Sequence, residues 1–286
     1  MSEPVSDLVP RRSVLYLPAS NVRALEKAKT IPADALIFDL EDAVAPDAKP
    51  DAREQAVAAV RSGAYGGREL TIRCNGLDTP WGPDDLAAAA AAGPAAVVVP
   101  KVSGPAQLDE VAALTGGARL WAMIETPAAL FAIRAIAAHP AVDVLVLGTN
   151  DLAKELRAVL VPGRAPLLPH LATALLGARD AGKVILDGVY NDVRDLEGFQ
   201  AECRQGVQLG FDGKTLVHPT QVEVANRVWA PTGAELEHAQ RVIEAFDEAQ
   251  RAGRGVVTVD GRMIENLHVD SARRTIATAQ AIAERA

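Results

Sequence analysis

The chain has 286 residues, 49% hydrophobic and 23% charged, which is a globular rather than a disordered balance. A net charge of −8, a pI near 5.2 and only 4% aromatics exclude the phosphate electrostatics and base stacking on which nucleic-acid binding rests. Cys74 and Cys203 lack CxxC spacing, the segment MSEPVSDLVPRRS has no apolar signal core, and the run LAAAAAAGPAAVVVPK is broken by Gly93-Pro94; these features predict a cytoplasmic protein without disulfides, zinc cluster or membrane span.

Apolar runs begin near Val14 (VLYLP), Ala35 (ALIFDL), Leu70 (LTIRC), Ala96 (AVVVP), Leu120 (LWAMIE), Val142 (VDVLVLG), Val184 (VILDG) and Thr215 (TLVHP). Helix-like stretches such as NVRALEKAKT, KPDAREQAVAAVRS and TPAALFAIRAIAAH lie between them. Near-continuous apolar strands are buried on both faces, the mark of a parallel sheet. Eight such strands alternating with helices predict a (β/α)₈ TIM barrel. The rival, a doubly wound sheet, calls for a glycine-rich phosphate turn after the first strand, and LPASNVR has no GxGxxG. GFDGKT ends like a P-loop, but Gln208 stands where the first glycine is required.

After Trp229 the pattern changes. TGAELEHAQRVIEAFDEAQRAG reads as an amphipathic helix, Asp260-Gly261 in GVVTVDGRMIEN as a hairpin turn, and VDSARRTIATAQAIAERA as a closing helix. The expected division is a catalytic barrel over residues 1–230 and a helix–hairpin–helix extension over 231–286. An appendage too small for a core of its own is expected to pack on the barrel or on a neighbouring subunit.

Barrel chemistry sits at the carboxyl ends of the strands. Those ends carry Asp39, Glu41 and Asp42, then Arg73 and Asn75, Lys101, Glu125, Asn150 and Asp151, and His218. Each has a plainer reading. Thr149, Asn150 or Asp151 could cap a helix, Arg73 could merely neutralise the acids of the second strand, and Lys101 could be a Schiff-base lysine or an ion-pair partner. His218 before Pro219 reads as structural. Together the residues suggest a hard-cation site: Glu125 and Asp151 offer the oxygen ligands that Mg²⁺ prefers, and Arg73 suits a carboxylate.

LYLPASNVRALEKA, IFDLEDAVAPDAKPDAR, IRCNG, AMIETPAAL, GTNDLAKEL, GKTLVHPTQV and VDGRMIE occur in order over residues 12–275. They resemble the citrate lyase β-subunit group of the HpcH/HpaI aldolase superfamily, which includes malyl-CoA and citramalyl-CoA lyases. The resemblance implies a Mg²⁺-dependent barrel that cleaves or forms a carbon–carbon bond in an acyl-CoA thioester, yielding or consuming a 2-oxo acid. It implies Glu125 and Asp151 as metal ligands, with Glu125 also meeting substrate, and Arg73 as the carboxylate-binding arginine. It places Ser20, Asn21 and Arg23 at the CoA portion, and Asp39, Glu41 and Asp42 behind the ligands as supports. An acidic residue from a neighbouring subunit's hairpin completes such sites in a motif like MID; here the motif is MIE, so Glu265 stands in that place. The resemblance further implies a homotrimer or hexamer and, in true citrate lyases, a thioester on an acyl carrier. Two other functions stay open: a metal-dependent aldolase on free 2-oxo acids, disfavoured because no histidine precedes His139, and a non-catalytic acyl-CoA or keto-acid binding subunit.

Overall fold

The computed structural model describes residues 8–253 and 256–285. Residues 1–7 of the expected barrel span, Gly255 at the start of the expected hairpin segment and Ala286 of the closing helix lie outside the described residues. Two compact units emerge: Arg11–Val228, and the segment from Trp229 onward with residues 8–10.

The first unit is a closed, all-parallel barrel of eight strands in sequence order. They are β1 (Ser13–Pro18), β2 (Ala35–Asp39), β3 (Glu69–Arg73), β4 (Ala96–Val99), β5 (Leu120–Ile124), β6 (Val142–Leu147), β7 (Val184–Asp187) and β8 (Gly213–Leu216). β1 pairs with β8 to close the cylinder. Side chains alternate between the two faces of a strand. One parity (Val14, Ala35, Ile37, Ala96, Val98, Trp121, Met123, Val144, Val146 and Leu186) fills the interior, and Tyr16 and Val184 pack against it. The other parity meets the surrounding helices, which explains why the strands read as unbroken apolar runs. Each Val, Ile or Leu buried this way contributes roughly 1.5–3 kcal/mol.

The amino end of the barrel is closed by structural pairs. The Arg11 guanidinium stacks 5.5 Å from the Trp121 ring and forks onto Glu69, while Arg12 forks onto Asp34. The carboxyl end carries the remaining buried ionisable groups of the interior parity.

The second unit is a helix (Gly233–Arg251), a hairpin of β9 (Val257–Val259) and β10 (Arg262–Ile264), and a helix (Asn266–Ala283). Thr232 and Glu235 form the capping box of its first helix. Asp260 and Gly261, with φ of 49° and 76°, make the two-residue turn that their sequence predicts. The expectation that this segment lacks a core is corrected here. Ala239, Val242, Val259, Ile264, Val269 and Ala272 form a buried cluster of their own, because the hairpin covers the apolar seam between the two helices. No described helix is long and apolar enough to cross a membrane. Cys74 and Cys203 are free and buried.

Candidate active site

Interior parity carries three charged groups to the carboxyl rim: Asp39 above Ile37, Arg73 above Thr71 and Glu125 above Met123. Asp39 and Arg73 are register partners on β2 and β3. Arg73 Nε donates to Asp39 Oδ1 and Nη2 to Oδ2, each at 2.7 Å. The Arg73 fork is therefore taken by Asp39, and Nη1 is the edge left for other partners. Nη1 lies 2.9 Å from Glu41 Oε2 and 3.8 Å from Met123 Sδ. The Glu41 contact is an ion pair without the alignment of a hydrogen bond. Burial would lower the Arg73 pKa, but the neighbouring Asp39 and Glu41 carboxylates override it and hold the guanidinium firmly protonated.

Glu41 bridges Arg73 and Lys101, whose Nζ donates to Glu41 Oε1; Asp42, mostly exposed, stands 4.0 Å from the same Nζ. These two cations explain how three acids coexist at the end of one strand. Burial still pushes the Glu41 carboxyl up. Lys101 holds a left-handed backbone with φ of 49°, an uncommon conformation for a residue with a side chain. That conformation aims its backbone N–H at Glu125 Oε1, 2.7 Å away.

Glu125 is 1% exposed, and among the described residues its Oε2 has no hydrogen-bond partner. Burial, the largest cause, pushes its pKa from 4.5 up to about 7, and the negative charges of Glu41 and Asp151 add to the rise. Gly148 follows β6 at the facing interior position. A Cβ there would fall 2.2 Å from Glu125 Oε2, so only glycine admits the carboxylate. Asp151 sits in the first turn of the helix Thr149–Leu156, whose N-cap Gly148 makes no side-chain cap bond. The capping alternative for Thr149, Asn150 and Asp151 is thus not what the structure shows. Asn150 instead exchanges hydrogen bonds with Asn191.

A buried, unpartnered carboxylate oxygen beside a second carboxylate is the donor set of a hard divalent cation, and Glu125 and Asp151 fit one. No group of three or more His, Cys, Asp or Glu among the described residues forms a fuller cluster, so water and substrate oxygens would complete the shell.

The other expected residues are placed as follows. Ser20 and Asn21 lie in the loop after β1 on the same rim; Asn21 caps the next helix (Val22–Ala28) by accepting from the Ala24 N–H, and Arg23 lies exposed in the first turn of that helix. His218 accepts from the Thr220 N–H and caps the turn after β8, in keeping with a structural role. Glu265 belongs to the second unit, exposed, with its backbone N–H donating to His268 Nδ1. Sequence reasoning missed Tyr16, Lys49 and Gly148. Lys49 is buried, and its Nζ donates to the carbonyls of Leu40 and Glu41 and to Asn75 Oδ1, pinning the acidic loop. Its position in KPDAR looks like an ordinary helix start, so no signal marked it. Interior parity could have marked Tyr16 and Gly148.

Residues 12–219 match the family model described as HpcH/HpaI aldolase/citrate lyase. The chain belongs to the HpcH/HpaI aldolase/citrate lyase family. Residues 166–283 also match a model of carbon–carbon bond lyases of the TIM-barrel fold, and the chain is an enzyme of this carbon–carbon lyase family. It is 53% identical over 274 residues to a (3S)-malyl-CoA thioesterase of Cereibacter sphaeroides (strain KD131 / KCTC 12085), covering 96% of each chain. It is 35% identical to the citrate lyase subunit beta of Escherichia coli (strain K12), covering 94% of this chain and 93% of that one. A crystal structure of the family member CitE from Mycobacterium tuberculosis, in complex with magnesium, acetoacetate and coenzyme A, superposes with a TM-score of 0.79 at 29% identity, covering 94% of this chain and 97% of that one.

Proposed function

We propose that this enzyme is Mg²⁺-dependent and acts on a short dicarboxylic acyl-CoA thioester of the malyl-CoA type, which it hydrolyses to the free hydroxy acid and CoA. The observation that carries the metal site is the buried, unpartnered Oε2 of Glu125 next to the charge of Asp151. The substrate class and the hydrolytic outcome are supported by the 53% identity to (3S)-malyl-CoA thioesterase along nearly the whole chain.

When bound, the cation supplies a positive centre that anchors and polarises substrate oxygens. The protein's own groups do the rest. Lys101 N–H fixes one oxygen of Glu125 so that the other faces the site. Asp39 holds Arg73 so that Nη1 meets the substrate carboxylate. Glu41, Asp42 and Lys101 keep this end of the barrel electrically balanced. Ser20, Asn21 and Arg23 receive the CoA portion, with exposed Arg23 suited to its phosphates. Glu265 completes the site of a neighbouring subunit in a homotrimer or hexamer and handles a proton there. In hydrolysis, water adds to the thioester carbonyl, the carbon–sulfur bond breaks, and the thiolate leaves and takes up a proton.

A second reading is favoured by the match to carbon–carbon lyases and by the 35% identity to citrate lyase subunit beta. There a base takes the substrate hydroxyl proton, the carbon–carbon bond breaks, and a 2-oxo acid and an acyl-CoA enolate form; the enolate is then protonated. The substrate in that case could ride on an acyl carrier. An aldolase acting on free 2-oxo acids finds less support: His139, the first histidine of the chain, is buried against Asp109 away from the β2 end. A cytoplasmic location suits the two free buried thiols and the CoA substrate.

Incubation with (3S)-malyl-CoA, citramalyl-CoA and citryl-CoA, with Mg²⁺ and with chelator, tests the reading. Free thiol and malate in equal amounts support hydrolysis, while 2-oxo acid and acetyl-CoA support the lyase. Thioester binding without any turnover supports a binding subunit and sinks both.

A further inference from the structure

Tyr16, on β1, packs against both Arg73 and Met123. It projects into the barrel above Val14 by strand parity and is half-buried. The Arg73 guanidinium carbon lies 4.9 Å from its ring centroid. Among the described residues its hydroxyl has one hydrogen-bond partner, the Met123 thioether at 3.9 Å. A thioether is a weak acceptor, so the phenol is left nearly unsatisfied in a site where unmet polar groups are costly. Arg73 Nη1 reaches toward the same sulfur, at 3.8 Å. Two donors from different strands thus converge over one atom that satisfies neither. Burial keeps the phenol protonated across physiological pH, and the charges of Glu125, Asp39 and Glu41 reinforce this against the opposing effect of Arg73.

We propose that the Tyr16 hydroxyl is a substrate-binding group that, with Arg73 Nη1, donates to the carboxylate of the acyl portion over Met123 Sδ. One carboxylate oxygen takes the phenol proton in a hydrogen bond, and the other faces the guanidinium. This deepens, and rests on, the reading of the rim as a site for carboxylated acyl thioesters. It also makes the hydroxyl a specificity element: an acyl group without a carboxylate has nothing to offer it.

Tyr16→Phe removes only the hydroxyl and keeps the ring under Arg73. The probes are L-malate, which carries the carboxylate, and acetyl-CoA, which does not, each titrated calorimetrically with Mg²⁺ present. The expected result is a Kd for L-malate raised roughly tenfold to a hundredfold, the scale of a hydrogen bond to a charged group. The Kd for acetyl-CoA and the melting temperature stay unchanged, and kcat/KM for (3S)-malyl-CoA falls by a factor similar to the loss of L-malate affinity. Unchanged L-malate affinity overturns the proposal, as does an equal loss for both ligands, or wild-type protein that binds no L-malate. Wild-type protein that fails to turn over malyl-CoA but binds L-malate in a Tyr16-dependent way leaves this proposal standing and removes the functional reading instead.

Discussion

Arg73 and Asp39 face each other fork to fork across β2 and β3, with both hydrogen bonds at 2.7 Å and both side chains buried. The pair fixes the guanidinium plane, and so decides which edge of Arg73 a substrate can reach. Removing Asp39 takes both hydrogen bonds from the buried guanidinium and leaves Glu41 as its remaining close carboxylate, at a cost of up to about 3–5 kcal/mol. Asp39→Ala is expected to lose stability on that scale in urea denaturation. Arg73→Lys keeps the charge but cannot fork, and is expected to lower kcat/KM at least tenfold.

Gly148 and Glu125 make the tightest demand of sequence on geometry in the site. Gly148→Ala puts a methyl group where the carboxylate stands, 2.2 Å from Oε2. The side chain of Glu125 must turn away, so Mg²⁺ affinity and turnover should both collapse while stability falls by about 1–3 kcal/mol. Calorimetric Mg²⁺ titration and a melting curve together check this. A variant that binds Mg²⁺ normally contradicts the placement of Glu125.

The burial of Glu125 predicts a pH signature. Its pKa is about 7 in the folded chain against an ordinary 4.5, so the folded state holds the extra proton between those values. Stability from this group is present below pH 4.5 and is lost as pH rises through about 7, amounting to about 3 kcal/mol. In chelator, this contribution should lower the melting temperature across that window. Mg²⁺ should abolish the loss, and Glu125→Gln should flatten it.

Lys49 holds the loop that carries Glu41 by donating to the carbonyls of Leu40 and Glu41. Lys49→Met strips buried Asn75 Oδ1 of its donor and leaves the Leu40 and Glu41 carbonyls with one donor each, Asn75 Nδ2 and the Val44 N–H, at a cost of about 1–3 kcal/mol in all. The expected variant is less stable, by thermal denaturation, and slower. Full stability in Lys49→Met would show that the loop is held by other contacts.

The barrel was legible because its strands are buried on both faces. VLYLP, ALIFD and AVVV stand out from their polar, alanine-rich surroundings, and all eight strands start within two residues of the expected positions. Asp39, Arg73 and Glu125 were legible for a related reason: each ends an apolar run, and period-two alternation sends it to the interior. Lys49 was not legible. Its acceptors are two carbonyls of the preceding loop and Asn75 on the next strand's end, and only the folded chain brings them together. Parity alone places Gly148 on the interior, but its meaning is the empty volume that Glu125 fills, which only the folded chain shows. The core of the C-terminal unit was misjudged because a short hairpin gains an apolar face only when the two flanking helices meet over it.

Glu265 is exposed at the start of the last helix, with a side chain longer than that of the aspartate in the motif MID. If it completes a neighbour's site, Glu265→Gln lowers turnover at least tenfold without changing Mg²⁺ affinity. An unchanged turnover rate removes it from the mechanism.

The claim on which the account most depends is that Glu125 and Asp151 jointly grip one divalent ion. Mn²⁺ binding followed by electron paramagnetic resonance measures this directly, on the wild-type chain and on Glu125→Gln and Asp151→Asn. One tightly bound ion per chain, lost in each variant, is the predicted result. Undiminished binding in either variant would contradict it.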